Sequence, residues 1–351
     1  MIKSSTIKNS NYNQKKIMAE DSDSDYDSEI DEDEDLQPEP RQVYTRNEMM
    51  EKGLTVYFSV RRVRKGKDKT NIRRFVSFYG SSPEVCCLIW EDLQTKLTPD
   101  KEIPDNKLNL KYFLMAMNHL KCYPTEIARE GPWNISEKVG REWVWYYVYR
   151  IRDLKAFKIT WPDFGDVTWA ISVDGTHCWI AEPKHVEWSQ DPAYYSHKYN
   201  KAGINYEIGI SLSEPRVVWM NGPHPAGMND VLVFSEYGLK DKLDLHGKKA
   251  IGDQGYVGHP THVSTFNSQD SKKVKMFKSR ASTRHETFNN LTKRFAILNG
   301  RFRHDKKRFG PCFEAICVIC QYQMENGSAL FDVLVEAIFA EENANAQNFA
   351  I

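Results

Sequence analysis

Along the chain the spacing of apolar positions changes character twice. Residues 1–45 have no apolar period; runs such as Asp21-Ser22-Asp23-Ser24-Asp25 bury too little apolar surface to offset the entropy of ordering the chain. A disordered acidic tail is expected there. From Arg46 to about residue 160 the period is helical. Ser81 or Ser82 ahead of Pro83-Glu84 marks a helix start leading into Val85–Trp90. Leu108–Leu120, the turn Tyr123-Pro124-Thr125-Glu126, and Trp143–Leu154 behind Ser136 predict three helices joined by short turns. Such a set is either a helix-turn-helix, with Arg141 contacting a base or phosphate, or a plain bundle in which Arg141 forms a surface salt bridge.

After Trp161-Pro162 the period falls to two. Trp169, Ile171 and Val173 alternate with Thr168, Ala170, Ser172 and Asp174, which predicts a strand ending on Asp174. Ile204, Tyr206, Ile208, Ile210 and Leu212 predict a second strand and Val217–Met220 a third, connected as an antiparallel meander. A short strand, Lys249–Gly252, delivers Asp253. Thr283–Leu298 then reads as a helix with Phe288, Leu291, Phe295 and Leu298 on one stripe. Strands followed by helices predict a mixed α/β domain over residues 161–340, preceded by the helical region 46–160.

Composition narrows the class. A chain of 351 residues that is 40% hydrophobic can bury a substantial core and suits two domains. No run of about 18 uncharged apolar residues suggests a membrane span. The longest apolar stretch, Ala329–Ala340, is interrupted by Asp332 and Glu336. Met1–Lys16 lacks the apolar core of a secretory signal. Seven irregularly spaced cysteines suggest reduced thiols inside a cell. Cys312, Cys317 and Cys320 suit a buried apolar helix better than zinc, because no second close ligand pair follows.

A formal net charge of zero hides a division. Residues 1–40 carry 12 acids against 4 lysines, so the remainder is basic. Lys272–Arg308 concentrates 13 Lys/Arg against Glu286 and Asp305. That is either a solvated helix face or the footprint of a polyanion. On the second reading Lys272, Lys273, Lys275, Lys278, Arg280, Arg284, Lys293, Arg294, Lys306, Lys307 and Arg308 contact a DNA backbone. Arg61-Arg62-Val63-Arg64-Lys65 is a nuclear import signal, a phosphate-contacting arm or an exposed basic loop. Trp179, Trp188, Trp219 and the pair Tyr194-Tyr195 either stack on exposed bases or pack in the core.

Three acids stand where a chain displays them: Asp174 on a strand, Asp253 after another, and Glu286 on a basic helix. Cleavage of phosphodiesters by two metal ions needs hard oxygen ligands of this kind. Each acid also has a local explanation. Asp174-Gly175 suits a type I′ hairpin, Asp253-Gln254-Gly255 a turn, and Thr283 with Glu286 a capping box.

Taken in order, Ile171-Ser172-Val173-Asp174-Gly175-Thr176-His177, Gly222-Pro223-His224-Pro225-Ala226-Gly227-Met228-Asn229-Asp230-Val231, Ile251-Gly252-Asp253-Gln254-Gly255-Tyr256 and Arg284-His285-Glu286-Thr287-Phe288 resemble the successive motifs of Harbinger-type DDE transposases. The resemblance spans about residues 105–335. It implies an RNase H-like domain, a mixed sheet flanked by helices, with Asp174, Asp253 and Glu286 holding two Mg²⁺ or Mn²⁺ ions. Thirty-two residues separate Asp253 from Glu286, near the spacing of many such enzymes. Asp230 is expected to be a structural or supporting residue beside the metal site, with a direct role at the metals as the other reading, and His177 either a structural histidine or one that reaches substrate phosphate or a metal-bound water. The implied substrate is double-stranded DNA at transposon ends and target sites, in the nucleus. A Myb-like protein is the implied partner, and a homo-oligomer is compatible with the resemblance. Two other readings stay open: a domesticated DNA-binding regulator without transposition activity, and an RNase H-like nuclease acting on RNA.

Overall fold

The computed structural model describes residues 42–57, 63–97, 109–184 and 190–333. Expectations on the acidic tail up to residue 41, on Arg61-Arg62, Leu108 and Trp188, and on residues beyond 333 lie outside this range. Polar side chains start the helices where the sequence places them. After α1 (Arg46–Tyr57) and α2 (Asp68–Tyr79), Ser82 caps α3 (Pro83–Thr95) by accepting the Val85 N–H, with proline at the first helical position. Asn109, Thr125 and Ser136 do the same for α4 (Leu110–Cys122), α5 (Glu126–Trp133) and α6 (Glu137–Asp153). Tyr123 and Asn134, both in the left-handed region, close α4 and α5. A short α7 (Lys155–Lys158) follows.

The sheet is built around β1 (Trp169–Trp179). Its expected end at Asp174 is not found. The strand continues to Trp179 because β3 (Lys201–Ser211) pairs antiparallel along its whole outer half, Asp174 opposite Ile208 and Trp179 opposite Gly203. Asp174-Gly175 is therefore mid-strand and not a hairpin turn. β2 (Tyr195–Ser196) and β4 (Val217–Pro225) both pair with β3, completing the expected meander. The chain then crosses through α8 (Asp230–Glu236) and α9 (Leu239–His246) to β5 (Lys249–Ile251), parallel to β1, and β6 (Val263–Ser264), parallel to β5. The sheet is thus mixed, as an RNase H-like domain requires.

α10 (Lys272–Lys293) begins eleven residues before the expected start at Thr283, capped by Ser271. Thr283 lies inside it and donates to the Ser279 carbonyl, so the capping box with Glu286 does not form. A break at Arg294-Phe295 separates α11 (Ala296–Asn299) from α10, and α12 (Phe309–Glu325) follows. Cys312, Cys317 and Cys320 are buried free thiols on α12. Ile204, Tyr206, Ile208 and Ile210 turn one sheet face toward α12, where the Tyr206 and Phe313 rings stack at 4.1 Å. The same core takes in Trp90, Phe113, Val148 and Ile151, so it runs unbroken across residue 160. On the other face Ile171, Val173 and Ala250 pack with Phe234, Leu239 and Leu243 of α8 and α9. Among the described residues no helix is long and apolar enough to cross a membrane.

Candidate active site

Parallel pairing sets the first two acids side by side. Ser172 of β1 lies abreast of Ile251 of β5, so two residues further along each chain Asp174, still within β1, and Asp253, just past the end of β5, come side by side. Asp174 accepts the Gly175 N–H at 2.8 Å, and Asp253 caps a short 3₁₀ turn by accepting the Gly255 N–H at 2.8 Å. Burial pushes the Asp174 carboxyl up to about 7, and the neighbouring charges of Asp253 and Asp230 add to the effect.

Glu286 reaches the same place from α10. The helix is fastened along β1 at three points four residues apart. His285 Nδ1 lies 3.3 Å from Ser172 Oγ, Asn289 accepts from Thr176 Oγ1 at 2.7 Å, and Lys293 Nζ donates to the His177 carbonyl at 2.6 Å. Beside this seam Glu286 is exposed, and it lines with Asp174 and Asp253 a cavity of about 760 Å³. Lys198 lines it too. Burial opposes the Lys198 charge, but Tyr199 and the acids Asp253, Asp174 and Asp230 outweigh that and raise its pKa.

Asp230 starts α8 on the opposite sheet face, close against the glycines of both motifs. A Cβ at position 175 would lie 2.7 Å from Asp230 Oδ1, and one at position 255 would lie 2.8 Å from Asp230 Oδ2 and 2.9 Å from Asp253 Oδ1. Glycine at 175 and 255 lets the three carboxylates crowd together. Behind them lies an acid that sequence reasoning missed. Glu207, opposite Gly175 on β3, is 3% exposed; its Oε2 accepts from Trp219 Nε1 at 2.9 Å, and burial pushes its carboxyl up to about 8. A charged residue inside the apolar run Ile204–Leu212 was the only signal. His177 is a packed ring: its Nδ1 lies 3.1 Å from Asn205 Oδ1, Tyr199 stacks on it at 4.4 Å, and burial lowers it to about 4.

The basic segment divides. Lys272, Lys273, Lys275, Arg294, Lys306 and Lys307 are exposed, Arg280 and Arg308 half-buried. Three of the expected DNA contacts are instead structural. Lys278, 5% exposed, pairs with Asp270 at 2.8 Å and donates to the Thr265 carbonyl. Arg284, 3% exposed, donates to the backbone carbonyls of Ser211, Glu214 and Phe331. Lys278 was read as a surface cation because Lys272–Ser282 has too few apolar residues to show which helix face is buried, and Arg284 because its charge hides its place one turn before Phe288 on the apolar stripe. Lys293 is also turned inward, onto the carbonyls of His177 and Leu298. In the helical region Arg141 forms a surface ion pair with Glu126.

Among the described residues no three His, Cys, Asp or Glu side chains close into a ready ligand cage. The donor chemistry still suits a hard divalent cation. Mg²⁺ takes one or two protein carboxylates and fills its remaining positions with water and substrate phosphate, and Asp174 with Asp253 offers that pair while a cation would relieve their mutual repulsion. A carboxylate on β1 beside one just past the end of the parallel β5, faced by a helix bearing a third, is an arrangement with the hard oxygen donors that two-metal phosphodiester cleavage needs, on an RNase H-like sheet. Residues 173–321 match the family model of the DDE superfamily endonucleases, which supports a DDE-transposase-like nuclease. The match contains Asp174, Asp253 and Glu286. Neither the curated proteins nor the solved structures gave a match.

Proposed function

We propose that the protein is a Harbinger-type transposase, a Mg²⁺- or Mn²⁺-dependent endonuclease that cuts double-stranded DNA at transposon ends and joins the freed 3′-hydroxyl to target DNA in the nucleus. The observation that carries this reading is the convergence of Asp174, Asp253 and Glu286 on one cavity from three separate elements. The four motifs in order support the subtype, and with it a Myb-like partner for end recognition.

Asp174 and Asp253 would hold the two ions, with Glu286 completing the site. When bound, the ions would supply neutralisation of charge on the scissile phosphate and a more acidic water. The protein's own part is positioning. The seam of His285, Asn289 and Lys293 fixes α10 so that Glu286 faces the acid pair. Lys198, which lines the cavity and whose charge the acids favour, binds a phosphate oxygen of the entering strand. Exposed lysines on α10 and at 306–307 track the backbone.

Nicking of supercoiled plasmid in Mn²⁺ tests the reading. Wild type converts it to open circle, and Asp253→Ala slows this at least about 1,000-fold, the scale on which loss of one essential group is felt. Equal rates for the two proteins would remove Asp253 from the mechanism.

A further inference from the structure

The cavity has a second end, away from the acids. Trp179, the last residue of β1, is 39% exposed, and Tyr199, in the four-residue connection between β2 and β3, is 45% exposed. Both rings line the cavity that holds Asp174 and Asp253. Neither exposure comes from a loose segment. Asn200 in the left-handed region tightens the hairpin, Ser196 pairs with Lys201, and the Tyr199 ring lies on His177 at 4.4 Å and 22°. Gly203 makes room for that stack, since a Cβ there would meet His177 at 2.0 Å. Each ring also carries a cation. Lys201 Nζ stands 5.0 Å from the Trp179 centroid and Lys198 Nζ 5.6 Å from that of Tyr199.

Two exposed aromatic rings flanked by lysines suit a ligand with flat faces and negative charge. Along the strand, position 177 lies about 10 Å and position 179 about 17 Å from Asp174, at roughly 3.3 Å per residue. At about 3.4 Å per stacked base, that is three to five bases from a phosphate held at the acids. Bases inside a duplex are covered on both faces by their neighbours, so only an unpaired base can use the rings.

We propose that Trp179 and Tyr199 form a stacking shelf for unpaired bases of the strand whose phosphate enters the acidic end, with Lys198 and Lys201 holding the phosphates between. The shelf rests on the nuclease reading, and it adds that the chain recognises frayed or single-stranded DNA beside the cut.

Binding of the full-length protein to fluorescein-labelled duplexes in Ca²⁺ tests it, with one duplex blunt and the other ending in four unpaired thymidines. Wild type binds the frayed duplex about tenfold tighter, the scale of one stacked base. Trp179→Ala and Tyr199→Ala bring the ratio near one, whereas Trp179→Phe keeps most of it. Unfolding temperatures check that the variants fold. Equal affinity of wild type for the two duplexes, or an unchanged ratio in Trp179→Ala, overturns the shelf. A protein that prefers the frayed duplex yet never nicks plasmid in Mn²⁺ keeps the shelf and loses the nuclease reading.

Discussion

Glu207 is an acid that the interior works against, and it makes stability depend on pH. Its folded pKa of about 8 lies above that of an exposed glutamate, so between roughly pH 4.5 and 8 the folded chain holds a proton that the unfolded chain has released. Stability from this group is full below that window and is lost as pH rises through it. Melting curves at pH 5 and pH 8 check the sign. Glu207→Gln, which keeps the shape and removes the charge, is expected to flatten the decline and to melt higher than wild type at pH 8. Lys278 and Arg284 belong to the same scale. Arg284→Met leaves three carbonyls without their charged donor and is expected to cost on the order of 2–4 kcal/mol in urea unfolding. Asp174 and Asp253 could be located from sequence because strand periodicity counts residues along a sheet. Glu207 and Lys198 could not, because which acid is buried and which hairpin faces the cavity depend on pairings distant in sequence.

At the scale of elements, the site depends on how α10 lies along β1. The Thr176–Asn289 hydrogen bond is one of three fastenings between them. Thr176→Val keeps the shape and deletes the donor. A double-mutant cycle with Asn289→Ala should give a coupling of about 1 kcal/mol, with plasmid nicking falling as Glu286 loses its bearing. A coupling near zero would leave the alignment to packing alone. Caps such as Ser82 and Ser136 were readable because capping chemistry is local. The true start of α10 was not, since Lys272–Ser282 carries only Val274, Met276, Phe277 and Ala281 as apolar positions and its stripe is faint. β1 was cut short for a related reason: Asp174-Gly175 has the local chemistry of a turn, and only the long pairing with β3 overrides it.

For the whole molecule the charge division is the legible feature, and its consequence is ionic. If the exposed cations track DNA, log affinity falls linearly with log salt, with a slope of about −0.9 per phosphate contact. Replacing Lys306, Lys307 and Arg308 by alanine should flatten that slope by up to about 2.7, whatever the DNA sequence. Lys278→Met should leave it unchanged, because that ammonium is held by Asp270. A slope unmoved by the triple replacement would turn those residues away from DNA. The central claim, that two aspartates on neighbouring parallel strands hold a divalent cation, is tested most directly by crystals of the protein soaked in Mn²⁺ and measured near the manganese absorption edge. An anomalous peak bonded to Asp174 and Asp253, on the side of the sheet faced by Glu286, is predicted. Manganese bound elsewhere at saturation, with both carboxylates left without a metal, would contradict the account.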